Sequence, residues 1–418
     1  MRFIFTSAGS FGDIAPLLVL AVELRQRGCD VRWVVNPFHQ ASLKKWGFDS
    51  IPAGEAATVE RTIRDPRLSS PLRSFAALRE AGEKEAEPFL DVLMETVGND
   101  DVLVYRSLVS SARIVEEKKG IPGVAVYVAP TELTSEEDRA CIGGHLSDAV
   151  SRSAPGWLYT KATRLIESRV IDRMMWKFLN PLRRKVGLDE RHGSYRDWMF
   201  GARLPLALYP DWYGRLGARM PAQMRQTGFP YLQSEQVMPL DPALGEFLDA
   251  GEPPAAITQG SAIRPSEKLV EQLISACNDF STRTLLLSFD HEGPPKIEGN
   301  HCITSPVAMS QVLPRCRALV HRGGAGAVAE GLRFGIPQLI VAQTMDHPDH
   351  GARVTRLGAG RWAYDPTATS WQIRRELDRV LHDSEIRRGA EAAAARCDAE
   401  GWRRESADLI EKLAKARD

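Results

Sequence analysis

Three glycines within four positions, Gly323, Gly324 and Gly326, join the apolar residues Ala318, Leu319 and Val320 to a helical pattern running past Glu330. Where side chains are missing, backbone N–H groups can approach a ligand closely, and the helix that follows turns its positive end to the same place. That chemistry suits a diphosphate; the turn alone also suits a plain strand-to-helix connection. About twenty residues on, the polar cluster Gln343, Thr344, Asp346, His347, Asp349 and His350 directly follows a second apolar run, residues 339–342. Two more loops of small residues stand after apolar runs: one holds Gly9, Ser10, Gly12 and Asp13, the other Gln259, Gly260 and Ser261.

These loops need strands and helices to position them. In the first half, residues 3–5, 31–35, 102–105 and 124–128 read as short buried strands with helical patterns between them. The first helix is expected over residues 16–27, with Leu17, Leu20, Ala21 and Leu24 on one face and Gly28 as its stop. Residues 206–209 read as another strand. A second strand–helix series starts near Ala255, with strands at 256–258, 284–288, 302–304, 318–320 and 339–341 and a helix over 265–278. Strands alternating with helices predict parallel sheets covered on both faces, and ligands bind such sheets beyond the carboxyl ends of the strands. The fold class expected is therefore α/β, with two Rossmann-like, doubly wound domains facing across a cleft.

Residues 135–188 break this alternation. They read as long amphipathic helix, with Ile166, Val170, Met174 and Phe178 recurring every fourth residue and Lys161, Arg164, Arg173 and Lys177 beside them. The expectation is a helix packed on its own core; a wall of a greasy pocket and a membrane-surface contact are the other readings. Proline-containing segments after Pro210 place the linker. The division expected is 1–215, a linker at 216–235, 236–400, and a C-terminal helix at 401–418 that packs back on the first domain.

Bulk composition narrows the class. A chain of 418 residues is larger than one core usually serves. Lysine plus arginine equals aspartate plus glutamate at 54 each, so charge offers no argument for a nucleic-acid partner. The six cysteines are scattered without metal or disulfide spacing and read as reduced thiols, which suggests a cytoplasmic protein. No run approaches the roughly 20 apolar residues that span a bilayer.

Taken together, these motifs resemble the GT-B glycosyltransferases of family 1, the UDP-glycosyltransferase superfamily, in its bacterial branch. Gly9-Ser10-Phe11-Gly12-Asp13 with Pro16, Leu20-Ala21 and Arg27-Gly28 is similar to the family's opening pattern. Gly323 to Gly326, Gly335-Ile336-Pro337-Gln338, Asp346-His347-Pro348 and Leu357-Gly358 are similar to its donor signature. A narrower resemblance, to the rhamnosyltransferases of bacterial rhamnolipid synthesis, rests on residues 61–68, 182–188, Thr227-Gly228-Phe229-Pro230 and Thr258-Gln259-Gly260-Ser261.

The resemblance implies an inverting, metal-independent hexosyltransferase without a cofactor. Its co-substrate would be a nucleotide-diphosphate sugar, and its acceptor a hydroxyl of a small lipophilic natural product or lipid. Asp13 would be the general base, or, if it is only structural, a helix N-cap. Gly324, Ala325 and Gly326 would give the diphosphate backbone amides, Ser261 a hydroxyl, and Arg322 a permanent cation where relatives carry histidine. Val307 would meet the base. Glu330 would bind the ribose hydroxyls, favouring UDP over dTDP, or else face solvent. Asp346 and His347 would meet the sugar. Phe11, Thr62, Phe75, Met174, Met175 and Trp176 are the acceptor-side candidates, with core packing as the competing role for the Met and aromatic residues. The histidines near Asp346 also raise a metal reading, which the loop context disfavours. Three alternatives stand beside this reading: a dTDP-rhamnose-dependent rhamnosyltransferase acting on a hydroxy fatty acid, a UDP-sugar epimerase, and a non-catalytic nucleotide-sugar-binding paralogue. Peripheral membrane contact is left open.

Overall fold

Short runs in which every residue is buried, such as Asp101–Arg106 and Gly123–Tyr127, form the middle of a parallel sheet, as required when helices cover both faces. The structure is a computed structural model that describes residues 2–70, 73–141, 143–231, 239–260 and 266–416. Its first sheet contains β1 (Arg2–Ser7), β2 (Asp30–Val35), β3 (Ser50–Pro52), β4 (Asp101–Arg106), β5 (Gly123–Tyr127), β6 (Leu204–Ala207) and β7 (Arg225–Gln226). The spatial order is β3-β2-β1-β4-β5-β6-β7, parallel throughout.

The second sheet repeats the plan. It contains β8 (Ala255–Thr258), β9 (Thr284–Leu287), β10 (Lys296–Glu298), β11 (His301–Thr304), β12 (Ala318–His321), β13 (Gln338–Ala342) and β14 (Gly360–Tyr364). Its order is β10-β11-β9-β8-β12-β13-β14, and β10 runs antiparallel on the edge. In each sheet the chain first builds outward on one side and then returns to the other, so the winding reverses between β1 and β4 and between β8 and β12. Loops leaving the strands on either side of such a reversal diverge and leave a crevice. All four flanking strands carry candidate chemistry at their ends.

Successive residues of β8, β12 and β13 feed opposite faces. Ala255, Ile257, Val320 and Leu339 join one apolar cluster, and Ala256 and Leu319 another. The first sheet's core continues through Val328, Leu332 and Ile340 of the second half, so the halves share a packed seam. Polar ties cross it. Arg353 donates to Asp138 at 2.8 and 2.9 Å and to the Tyr213 carbonyl at 2.9 Å, while pairing with Asp349 at 2.6 Å on its own helix. The Cys141 N–H donates to Asp349 at 3.0 Å, and Ser74 and Thr344 hydroxyls meet at 2.9 Å. The last helix, Gly401–Lys415, lies on the first half, with Arg403 at 2.9 Å from Glu23 and Ser406 at 2.9 Å from Thr227.

Several elements depart from expectation. The opening helix starts at Phe11, not at Pro16, so Asp13 lies inside it. Arg225–Gln226, within the expected linker, pairs with β6 as the seventh strand. The long 135–188 segment is three helices, His145–Ser153, Gly156–Ile166 and Asp172–Lys185, the last two joined through a π turn at Glu167–Ile171. Ile166 and Val170 on the expected inward stripe face solvent, whereas Met174 and Phe178 are half-buried. The stripe packs on a core over its second half only.

Candidate functional site

The reversal in the first sheet gathers the first group. Ser10 caps the Phe11–Gln26 helix, and Asp13 is its third residue rather than its N-cap. One carboxylate oxygen, Oδ2, accepts from the Ser10 N–H at 2.9 Å and from the Ser10 hydroxyl at 3.2 Å, closing a capping box. Gly9, at φ +99°, makes room for it: a Cβ there would stand 2.5 Å from Asp13 Oδ2. His39 Nε2 contacts the Gly9 carbonyl at 2.9 Å and steadies this turn. The other oxygen, Oδ1, faces the guanidinium of Arg106 at 3.6 Å, from the end of the neighbouring strand β4.

Arg106 is buried and stands between two carboxylates. Its Nη1 lies 3.3 Å from Glu132 and donates to the Val126 carbonyl at 2.7 Å. Glu132 in turn accepts from the Val128 and Ala129 N–H groups at 2.9 and 3.1 Å. Burial pushes the Asp13 carboxyl above its usual range, and Arg106 and Ser10 pull against that. Solvent still reaches 23 % of the side chain. The result is a carboxylate with one oxygen held by the Ser10 turn and the other facing Arg106.

The reversal in the second sheet gathers the donor-side residues. The Ala325–Arg333 helix opens on Gly324 without a capping side chain, leaving the N–H groups of Ala325, Gly326 and Ala327 pointing out of its first turn. The glycines divide by environment. A Cβ on Gly323, at φ +104°, would press on His347 and Ile340 at 3.0 Å, whereas one on Gly324 or Gly326 would meet nothing within 4 Å. Gly323 is thus required by packing, and Gly324 and Gly326 border open space. Arg322 is 4 % exposed and its Nη1 donates to Asp365 at 3.0 Å. Its Nε and Nη2 find no hydrogen-bond partner among the described residues, nor do His347 Nδ1 and Gln343 Oε1. Buried polar groups are normally satisfied, so this concentration fits a strongly polar, anionic ligand.

Two histidines here, His321 and His347, are held neutral. His321, bonded to Gln338 at 2.9 Å, is pushed down to about 3 by burial, and His347 to about 4 for the same reason against the pull of Asp346. Burial acts to raise Asp346, yet contact with His350 at 3.2 Å brings it to about 2. Both ring nitrogens of His350 are engaged, Nε2 with Asp346 and Nδ1 with the Tyr213 hydroxyl. Among the described residues no group of three or more His, Cys, Asp or Glu is placed to hold a metal. Met345 adopts a left-handed φ of 60°, a strained conformation that brings the chain into the His347–Arg356 helix.

Known proteins share this plan. A family model described as the erythromycin biosynthesis protein CIII-like C-terminal domain matches residues 289–413, and the glycosyltransferase family 28 N-terminal domain matches residues 3–136. Vancomycin aglycone glucosyltransferase of Amycolatopsis orientalis is 28 % identical over 370 residues, covering 86 % of this chain and 85 % of that one. dTDP-epi-vancosaminyltransferase of the same organism is 27 % identical over 398 residues, covering 91 % and 90 %. The solved structure of glycosyltransferase VinC in complex with dTDP covers 100 % of both chains, with a TM-score of 0.69 at 18 % identity. The chain is a glycosyltransferase with the GT-B fold. Nothing in these matches singles out the rhamnolipid enzymes.

Within this glycosyltransferase the remaining candidates fall unevenly. Glu330 does not face solvent: it is 9 % exposed, 3.6 Å from Arg333, and one helical repeat beyond Gly326 on the same face. Val307 is half-buried and packs on the second sheet's core. Ser261 lies outside the described residues. On the acceptor side, Phe75 is exposed and Phe11 half-buried against the core. The Thr62 hydroxyl donates to its own helix at Thr58, 2.7 Å away. Met174 and Met175 are half-buried. Trp176 is a packing residue: it is buried against Tyr195 and Trp198, and its indole N–H donates to the Gly193 carbonyl at 2.7 Å. Arg106, Glu132 and Asp365 were missed, and the available signal was a lone charge at or just past the end of an apolar strand.

Proposed function

We propose that the chain moves a hexose, with inversion, from a nucleotide-diphosphate sugar to a hydroxyl of a small lipophilic acceptor of the natural-product kind. Asp13 Oδ1 takes the acceptor proton as that oxygen attacks the anomeric carbon. The bond from that carbon to the diphosphate breaks, and the departing charge spreads over Arg322 and the first-turn amides of the Ala325–Arg333 helix. Asp346, held ionised beside His350, accepts from the sugar hydroxyls with His347 next to it. The observation that carries this reading is that both sheet reversals hold complementary chemistry: a partly solvent-exposed carboxylate beside a buried arginine at one, an uncapped helix and a buried, partly unpartnered arginine at the other.

A UDP-sugar is the favoured donor. Glu330 stands four residues beyond Gly326, about 6 Å along the helix axis, which is the separation needed to reach ribose from the diphosphate. A dTDP-sugar is the second reading, supported by the contact of Glu330 with Arg333, which occupies part of that carboxylate, and by the name of the vancosaminyl relative. Thermal shift with UDP-glucose, UDP-galactose, UDP-N-acetylglucosamine, UDP-glucuronate and dTDP-rhamnose separates them. A preferred donor raises the unfolding temperature by mass action, and Glu330→Gln is expected to narrow the gap between UDP and dTDP. Asp13→Asn is expected to bind donor normally and to lose transfer; near-normal turnover in that variant would sink the assignment.

A further inference from the structure

The Gly156–Ile166 helix is turned inside out. It has no buried residue. The side chains facing the body are polar: the Tyr159 hydroxyl meets Thr134 at 2.9 Å and the Thr160 hydroxyl donates to Glu136 at 3.3 Å. At 100° per residue Leu158 and Leu165 point away from these contacts, while Trp157 and Ile166, nine residues and so half a turn apart, lie on the two flanks of the exposed arc; Trp157 is 66 % and Ile166 59 % exposed. Leu146 and Val150 on the preceding helix and Val170 in the π turn are exposed as well. Half of the exposed large apolar side chains among the described residues fall between positions 146 and 170. Single exposed apolar residues need no explanation, but a contiguous patch marks an interaction surface.

Charge selects the occupant. Lys161, Arg164, Arg169, Arg173 and Lys177 are exposed, and none has an ion pair among the described residues. The acidic residues of the same stretch are engaged elsewhere: Asp148 with Arg152 and Arg356, Glu167 with Arg196, and Asp172 with the Tyr195 N–H. Exposed leucines with unpaired cations along the Trp157 flank, in a chain whose net charge is zero, fit a surface that is greasy below and negative above. A second copy docked across a two-fold axis would set these cations against their own duplicates, so self-association is disfavoured. We infer that helices 145–153 and 156–166 form a docking face for an anionic lipid bilayer, with the apolar side chains entering the acyl boundary and Lys161 and Arg164 reaching the headgroups. The inference goes beyond the proposed reaction and stands whatever the donor or acceptor is.

The test is sedimentation of the full chain with vesicles of phosphatidylcholine alone or with about 30 % phosphatidylglycerol, at low and high salt. Binding is expected on the anionic vesicles and is expected to weaken with salt. Lys161→Gln with Arg164→Gln should weaken it about 25-fold, since each lysine or arginine near such a surface contributes roughly fivefold. Leu158→Ser with Leu165→Ser should abolish it. These side chains are exposed, so unfolding temperature should stay unchanged and report intact folding. Absence of binding to anionic vesicles overturns the inference, as does equal binding by both variants. Two further results also overturn it: a concentration-dependent dimer, without vesicles, that the same substitutions abolish, or preference for polyglutamate over vesicles.

Discussion

Replacing Arg106 by glutamine tests how the proposed base is tuned. The Arg106 guanidinium stands 3.6 Å from Asp13 Oδ1. At that separation a unit charge pair is worth about 1 kcal/mol in bulk water and about 5 kcal/mol at an effective dielectric of 20. The partly open Asp13 lies between these limits, so removing the cation should raise its pKa by roughly one to three units. The sign follows from the role. Asp13 must be ionised to accept a proton, so the acid limb of kcat/KM marks its pKa and should move to higher pH in Arg106→Gln. Loss of the cation also uncovers Glu132, whose negative charge pushes the same way. The plateau above the limb should change little, because a weaker acid is a stronger base. Arg106→Lys should bring the limb back towards the parent position. Because Arg106 is buried beside Glu132, the double variant Arg106→Gln, Glu132→Gln guards against an unpaired buried carboxylate. A full pH profile of transfer is the assay. An acid limb that stays within about 0.3 unit of the parent in a folded Arg106→Gln protein, or that moves to lower pH, would refute the reasoning.

The glycine turn should separate packing from binding. Gly323→Ala, strained at φ +104° and pressed on His347 and Ile340, should cost about 1–3 kcal/mol in denaturant unfolding. Gly324→Ala should leave stability within about 0.5 kcal/mol while weakening nucleotide affinity in calorimetric titration. Arg353→Ala leaves Asp349, fully buried on the same helix, and Asp138, across the seam, without their arginine partner, so it should cost about 3–5 kcal/mol in stability, read by urea unfolding.

Much of the fold was legible because its strands are short apolar runs and its active loops follow them directly. The residues that went unread share a physical reason. Pro16 suggests a helix start, because proline is tolerated at the first helical position; the chain instead starts earlier at Ser10, whose capping box with Asp13 outweighs the break. Arg106 ends the strand Asp101–Arg106 after the run Val102-Leu103-Val104-Tyr105, and only the sheet order sets it beside a residue ninety-odd positions away. The stripe from Ile166 to Phe178 announces an amphipathic helix, but periodicity does not say which way the apolar face turns. The turn is set by tertiary contacts such as Tyr159 with Thr134. Glu330 is singled out from the sequence as a ribose ligand with solvent exposure as the alternative, and its burial beside Arg333 is what periodicity does not tell.

The central claim is direct displacement at the anomeric carbon with Asp13 as base. Its most direct test is the anomeric configuration of the product formed from a UDP-α-sugar and a lipophilic alcohol, read by proton coupling in NMR for the parent chain and for Asp13→Asn. The account predicts a β-glycoside from the parent and none from the variant. An α-glycoside, or equal yield from both, would contradict it.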